Sequence, residues 1–387
     1  MDPILFVASD YGKVIKTAGE HGYWAFRPAP LPRRLELPLT TVNLAVEAAA
    51  AVGRLGGAGR LIPNPHLLIQ PYLSREALAS SRIEGTEASM SDVFDAQASL
   101  TSEGPVREVT NYIAAFHHGL ERLGSLPVSR RLLCEVHNVL LDGARGQEKL
   151  PGQVRSTQNW IGGSDVNSAR FVPPVVSDME DLLTDFEKFI HEETELPDLV
   201  ELALIHYQFE TIHPFLDGNG RLGRLLVAFL LAERDILPTP LLYLSAWFER
   251  HKSAYYDHLQ AVRESGEMIE WIEFFLQGVA VMAIEAVTQA EQLTDLQRNF
   301  RARLQGDRSR SIEVVDLIFE NPVVTTGRIA RVLETTPQSA LNYVNKLVDA
   351  QILTEVRGAP GRGKRWISFD VYSALVPGEL PSFGDPI

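Results

Sequence analysis

A single cysteine, Cys134, stands in the 387 residues of this chain, which excludes an intrachain disulfide and any zinc centre built on a cysteine cluster. Long apolar runs are also missing. The longest, Leu225–Ala232, falls far short of the ~20 residues a membrane helix needs. The opening MDPILFVASDYGKV lacks the basic segment and cleavage site of a signal peptide. Positive charge is scarce: 36 Lys+Arg face 50 Asp+Glu, a net charge of −14. That balance disfavours a general binder of nucleic acid or anionic membrane, although it permits a local basic patch. From these absences we expect a cytoplasmic protein without a membrane partner. What is present is globular in kind, with 45% hydrophobic and 22% charged residues. The length exceeds the ~250–300 residues at which single cores stop growing, so two or three domains are expected.

The periodicity predicts a mainly α protein. Residues 1–38 are proline-rich without a sustained period and read as an extended arm. A helical region follows over 39–127. Its first helix opens at Thr40–Thr41 and stops in the glycine cluster Gly53–Gly59, and Pro63 and Pro65 mark a loop. Ser74 opens a second helix that ends at Gly85 in the position after the cap, and Ser91 caps a third. Val106–Leu123 and Ser129–Leu141 carry the spacing of helices packed on one face. Over 128–290 we expect a helical core. Within it, Val154–Pro174 reads as a two-stranded flap around a Gly-Gly-Ser-Asp turn, and Ser177 caps the next helix. Pro197–Ile212 is apolar on nearly every side, as suits a central helix, and apolar helices follow from about Arg221 to Glu233, Ser253 to Glu264 and Met268 to Glu291.

A connector is expected over 291–307, where the charge changes sign. Between Arg298 and Arg365 there are 12 basic residues against 7 acidic ones. Three short helices and a basic hairpin over 308–376 describe a winged helix-turn-helix, with Thr336-Pro337 opening the recognition-type helix, and 377–387 form a tail.

Chemistry concentrates in His213–Arg224, HPFLDGNGRLGR. Pro214 disfavours helix at His213, so that imidazole sits at a helix end. Asp217 is a hard oxygen donor suited to magnesium. Gly218, Asn219 and Gly220 allow a tight turn that opens into a helix N-terminus and so makes an anion cradle. Arg221 and Arg224 lie three apart on one helical face. Each piece has a plainer use alone: DGNG as a connector, a histidine before proline as a terminator, arginines as solvated charges. Their joint spacing describes phosphoryl or nucleotidyl transfer instead.

HPFLDGNGRLGR matches the signature of the Fic family at every fixed position, and the resemblance extends over roughly residues 40–380. It implies an all-helical core with a β-hairpin flap and a C-terminal winged helix. It also implies an enzyme that moves AMP from Mg²⁺-ATP to a hydroxyl of a target protein. On this resemblance His213 is the general base, Phe215 packs the loop, and Asp217 holds Mg²⁺. Gly218, Asn219, Gly220, Arg221, Leu222, Gly223 and Arg224 bind the triphosphate, with Arg224 on its γ end. Tyr255 contacts the nucleoside. The flap tip, Ser168, Ala169, Arg170 and Phe171, registers the target's main chain. Arg263 departs from the asparagine some members carry, which leaves adenine recognition open there.

Ser80-Ser81-Arg82-Ile83-Glu84-Gly85 matches the family's inhibitory pattern. Ser80 and Glu84 share a helical face, and a carboxylate delivered there can pair with Arg224 where the γ-phosphate belongs. In some relatives the equivalent glutamate is implicated in AMP removal, so brake and hydrolytic base both stand. The leading expectation is an autoinhibited protein adenylyltransferase. A nucleotide-sensing DNA-binding regulator is the alternative from another class, resting on Arg357, Arg362, Lys364 and Arg365 in the wing and Asn342, Asn345 and Lys346 on the recognition helix. Self-modification and homodimerisation are left open, as are the target and its residue. His206 reads as a hydrogen-bonded core residue, and neither it nor His117, His118, His251 or His258 has the partners of a zinc site.

Overall fold

The structure is a computed structural model and describes residues 1–7, 9–18, 22–61, 66–356, 363–381 and 383. The loop read at Pro63 and Pro65, and Arg357 and Arg362 of the wing, lie outside the described residues.

Two stretches within the first 38 residues correct the expected arm. They form an antiparallel hairpin, β1 (Gly12–Lys16) and β2 (Trp24–Pro28), with Val14 opposite Phe26. The alternating Val14, Lys13 and Phe26, Arg27 supply a period of two that the prolines obscured. Phe26 is fully buried in a small core with Phe6 and Phe171, apart from the main one. Next comes α1 (Leu39–Leu61), which runs through its glycines instead of ending in them. At Gly59 the helix packs closely on its neighbour: a Cβ there would stand 3.0 Å from Leu241.

The second helix, α2 (His66–Ile83), starts earlier than Ser74 and carries Pro71 inside it. Its end is as expected. Gly85 takes φ +85°, Gly85 N–H donates to Arg82 O and Thr86 N–H to Ser81 O, both at 3.0 Å, which is a Schellman closure with Glu84 at the cap. In α3 (Met90–Ser99) the cap is Ser89, not Ser91, because only Ser89 has Asp92 three positions on to complete a capping box. There follow α4 (Gly104–Leu123) and α5 (Arg130–Leu140), the latter capped by Ser129.

The flap is weaker than expected. Its two arms share one β-bridge, Ile161 to Phe171, and a side-chain bond from Gln158 Nε2 to Pro173 O at 3.0 Å, and the chain reverses over 162–167, so 168–171 lie on the return arm and not at the tip. Asp165 holds that turn by accepting from the Asn167 and Ser168 N–H groups at 2.8 and 3.0 Å. Ser177 lies in a 3₁₀ turn, and α6 (Met179–His191) starts after it.

At the centre α7 (Asp198–Ile212) is buried at every position from Leu199 to Ile212, and α8 (Asn219–Glu233) packs beside it. Then come α9 (Ser245–Arg250), α10 (Lys252–Ser265) and α11 (Met268–Arg303). By length and composition α11 could cross a membrane, but 61% of its most apolar window is buried inside the protein. It also takes up 291–303 of the expected connector over 291–307, and its last turns bury Phe300 against Phe319.

The C-terminal unit has α12 (Ser311–Glu320), β3 (Val323–Val324), α13 (Thr326–Val332), α14 (Pro337–Asp349), β4 (Thr354–Val356), β5 (Arg365–Ile367) and α15 (Phe369–Leu375). Its antiparallel sheet has the order β3-β5-β4, and Thr336 caps α14 as expected. The unit is fastened to the helices that precede the core. Arg365 is buried in an ion pair with Asp95, and Asn321 Nδ2 donates to Phe94 O at 2.9 Å. Arg365 is therefore no free contact for a nucleic-acid phosphate. Lys364 pairs with Glu355 at 2.8 Å and Lys346 with Asp307 at 2.6 Å, while Asn342 and Asn345 stay exposed.

Candidate active site

The α7–α8 turn gathers the motif. His213 caps α7 in the left-handed region, φ +50°, where Pro214 prevents helix from continuing. Its Nδ1 lies 3.3 Å from Glu210 O. A carbonyl only accepts, so Nδ1 carries the proton and Nε2 is left as the basic atom. Burial, with Arg263 and Arg155 adding positive charge nearby, pulls its pKa down to about 4. At neutral pH the imidazole is therefore uncharged and able to take a proton.

The loop beyond it is laced from within. Asn219 Oδ1 accepts from Phe215 N–H at 2.9 Å, and its Nδ2 donates to Phe215 O at 2.8 Å. Phe215 is buried as expected and stacks on His137, ring centroids 4.0 Å apart. His137 receives Gly152 N–H on Nδ1 at 2.8 Å and so donates from Nε2 to Asp217 O at 2.9 Å. Arg155 Nε donates to His213 O at 3.0 Å, and Asn159 Nδ2 to Phe215 O at 3.0 Å. His137, Arg155, Glu108 and Asn159 were not read from the sequence as part of the site. The signal was faint. His137 falls on the buried stripe of an amphipathic helix, and Arg155 opens the flap segment without any motif of its own.

Gly218 takes φ +76° and begins α8, and its N–H donates to Asp217 Oδ1 at 2.6 Å. Asp217 keeps 34% of its side chain exposed and stands 3.6 Å from Arg221 Nη2. Arg221 is fully buried, with Glu108 at 3.5 Å, and its Nε has no hydrogen-bond partner among the described residues. These features fit a magnesium ion that arrives with a triphosphate: one part-exposed carboxylate, with phosphate oxygens and water to supply the remaining positions. Among the described residues no group of three or more His, Cys, Asp or Glu converges as a metal cage.

Glu84 reaches this loop from α2. Its Oε1 accepts from Arg224 Nη2 at 2.8 Å, while Arg224 Nε donates to Ser80 Oγ at 2.8 Å and Nη2 to Ser80 O at 3.0 Å. Arg224 thus directs its Nε and Nη2 donors at one face of α2, the face that carries residues 80 and 84. Burial disfavours charge on Glu84, but Arg224 and Arg221 outweigh it and hold the carboxyl below its ordinary range. The fit is tight: a Cβ on Gly220 would lie 2.3 Å from Glu84 Oε1. Leu222 is buried, and a Cβ on Gly223 would meet Glu210 Oε1 at 2.5 Å. That oxygen of Glu210 is buried without a partner among the described residues, and burial raises this carboxyl to about 7.

Two expected contacts differ. Tyr255 is buried, stacked on Phe248 at 4.5 Å, with its hydroxyl 2.9 Å from His206 Nε2, so Tyr256 is the one of the pair that keeps surface. His206 is the core residue it was read to be, its Nδ1 3.1 Å from Gly223 O. In the flap, Ala169 and Phe171 are buried and Arg170 pairs with Asp257 at 2.7 Å. Arg263 lies 3.9 Å over the Phe171 ring and donates from Nε to Thr211 Oγ1, so it braces the flap.

Two family profiles match the chain, Fic/DOC family N-terminal over residues 42–121 and Fic/DOC family over 127–231. A protein adenylyltransferase Fic from Culex quinquefasciatus is 31% identical over 144 residues, 37% of this chain and 26% of that one. One from Drosophila grimshawi is 33% identical over 125 residues, 32% of this chain and 23% of that one. The chain thus spans about a quarter of the length of these curated relatives. Among solved structures, a Fic family protein from Desulfovibrio desulfuricans G20 superposes with a TM-score of 0.57 at 22% identity, over 87% of this chain and 98% of that one. Fic-1 from C. elegans gives 0.50 at 18% identity, over 66% of this chain and 74% of that one. These two likenesses speak for the fold.

Proposed function

The chain carries a Fic/DOC family N-terminal region followed by a Fic/DOC family domain, and on that premise we propose that it transfers AMP from ATP to a hydroxyl side chain of a protein and is held in check by Glu84. The observation that carries the reading is the meeting of Glu84 with Arg224 at 2.8 Å, within the loop that also presents the Nε2 of His213. In the transfer, His213 Nε2 removes the proton of a serine, threonine or tyrosine hydroxyl. The freed oxygen bonds to the α-phosphorus of ATP, the bond from that phosphorus to the bridging oxygen breaks, and pyrophosphate leaves. Arg221 and the N–H groups at the start of α8 offset the charge that gathers on the phosphates. Magnesium, held by Asp217, would supply further charge neutralisation at the phosphates.

Glu84 restrains this by occupying Arg224. A γ-phosphate arriving there meets a carboxylate of its own sign and a guanidinium already used, so the triphosphate is displaced from the line of attack. Removing Glu84 frees Arg224 for the nucleotide. The return arm of the flap, 168–171, is where we place the target, along the side on which Ser168 and Arg170 are exposed. A cytoplasmic setting suits the ATP requirement.

The test is label identity in the Glu84→Gly variant. Label from α-³²P-ATP is expected in protein bands, and label from γ-³²P-ATP is not. Transfer of the γ label would replace nucleotidyl by phosphoryl transfer.

A further inference from the structure

The helix that carries Glu84 has a second side. Inward, Glu76, Ser80 and Glu84 recur every four residues, and Glu76 is fixed by the Tyr112 hydroxyl at 3.0 Å and by Ser245 N–H at 2.9 Å. Outward, Arg75, Leu78, Ala79 and Arg82 follow the spacing of one helix face and wall a cleft of about 560 Å³. The facing walls come from α9, α11 and Val376–Glu379 beyond α15. Such a volume lies within the ~300–1,000 Å³ of small-molecule sites.

The chemistry of the cleft is uneven. Leu78, Ala79 and Val376 make an apolar floor. Arg250 is matched by Glu285 at 2.8 Å, and Arg82 is shared loosely between Glu379 at 3.6 Å and Glu249 at 3.8 Å. Arg75 has no carboxylate within 4.0 Å among the described residues, and its hydrogen bond goes to the neutral Gln289 Oε1 at 2.6 Å. A half-buried guanidinium with donors to spare, beside apolar surface, is an anchor for an anion.

The same wall reaches the brake. Arg82, two residues before Glu84, donates to Ala88 O from Nη2 at 2.9 Å and from Nε at 3.2 Å, so it laces the turn that follows Gly85. An anion in the cleft competes for that guanidinium.

We propose that this cleft binds a small ligand with an anionic head, carboxylate or phosphate, on an apolar body, with the head on Arg75 and within reach of Arg82, which lines the same cleft two turns along α2. Binding draws Arg82 away from Ala88 and Glu379, loosens the last turn of α2 and withdraws Glu84 from Arg224. The coupling rests on the reading of Glu84 as a brake, but the site does not.

Full-length protein titrated calorimetrically with 4-phenylbutyrate, phenyl phosphate and the neutral 4-phenylbutanol tests this, with amide exchange followed at residues 81–86. At least one anion is expected to bind and the alcohol is not; the preferred head group tells carboxylate from phosphate. Arg75→Gln weakens binding by about tenfold or more, the scale of a charged hydrogen bond. Thr288→Trp, which fills the cleft from an exposed rim position, abolishes it. Bound anion speeds exchange at 81–86 and raises AMP transfer by the wild type but not by Glu84→Gly. Binding of neither anion, equal binding to Arg75→Gln, or binding with unchanged exchange overturns the proposal. Absence of transfer in Glu84→Gly would instead sink the enzyme reading, because binding and exchange need no turnover.

Discussion

The catalytic loop is held at Phe215, Asp217 and Pro214 by hydrogen bonds from Asn219, His137 and the Arg155 backbone, most of them shielded from water. The end of α2 that reaches into it is held by the Glu84 carboxylate on Arg224, two contacts from Arg224 to Ser80, Arg145 on the Glu84 carbonyl and a laced turn at its surface. One region keeps a fixed geometry because many neutral partners must break together to change it. The other can let go, because its contact is between charges that a triphosphate or an anion can substitute. On the function proposed above, rigid chemistry and a removable block are built from different bonds within one site.

The comparison breaks most visibly at His213. In a Glu84→Gly background, His213→Ala is expected to lower AMP transfer by about 10²–10⁴-fold, the usual weight of a general base, with an unchanged melting curve. Retained transfer would mean that another group takes the proton. On the rigid side, Asn219→Ala removes the two hydrogen bonds it makes with the Phe215 backbone and is expected to cost about 2–3 kcal/mol in urea unfolding; a loss no greater than that of a surface substitution would mean the loop is not braced there. Gly220→Ala sharpens the contrast as a double-mutant cycle with Glu84→Gly. Its cost should be larger by about 1 kcal/mol when Glu84 is present, since the added methyl meets that carboxylate at 2.3 Å.

Acidity gives the smallest effects and the clearest signs. His213 and His137 fall to about 4 and His206 to about 3 in the fold, all chiefly through burial. The unfolded chain then binds protons first, so stability is full above about pH 6.5 and declines as pH falls toward 4. Glu210 has the opposite sense. Raised to about 7, it stabilises the fold while protonated and loses that contribution as pH rises through 7, so Glu210→Gln should raise the melting temperature more at pH 8 than at pH 6. An equal shift at both would place the Glu210 carboxyl in its ordinary range.

Much of this was legible in the residues. Local rules located α4, α5, α7, the Gly85 closure and the Thr336 cap, because the deciding groups lie within a few positions of one another. The motif from His213 to Arg224 pointed to the site by its spacing, and the Ser80–Glu84 pattern did so through its resemblance to the family's. What escaped was set by distant partners. Gly59 packs closely on Leu241, 182 positions away, where a Cβ would stand 3.0 Å from that side chain. Arg365 reads as a wing charge until Asp95 is seen beside it. His137 and Arg155 act on the loop across long stretches of chain and leave no local signature. The N-terminal hairpin was hidden by its prolines, and the flap looked stronger in β-branched residues than its one bridge makes it.

The central claim, that one glutamate restrains a complete AMP-transfer site, is tested most directly by labelling. Purified wild type, Glu84→Gly and Glu84→Gly/His213→Ala are incubated with magnesium and α-³²P-ATP, with and without cell lysate, and protein-bound label is counted. Strong label with Glu84→Gly is expected, about 10–100-fold above wild type if a charge-assisted hydrogen bond of about 1.5–3 kcal/mol sets the ratio, and none with the double variant. Equal label in wild type and Glu84→Gly, or none in either despite intact folding and ATP binding, would contradict it.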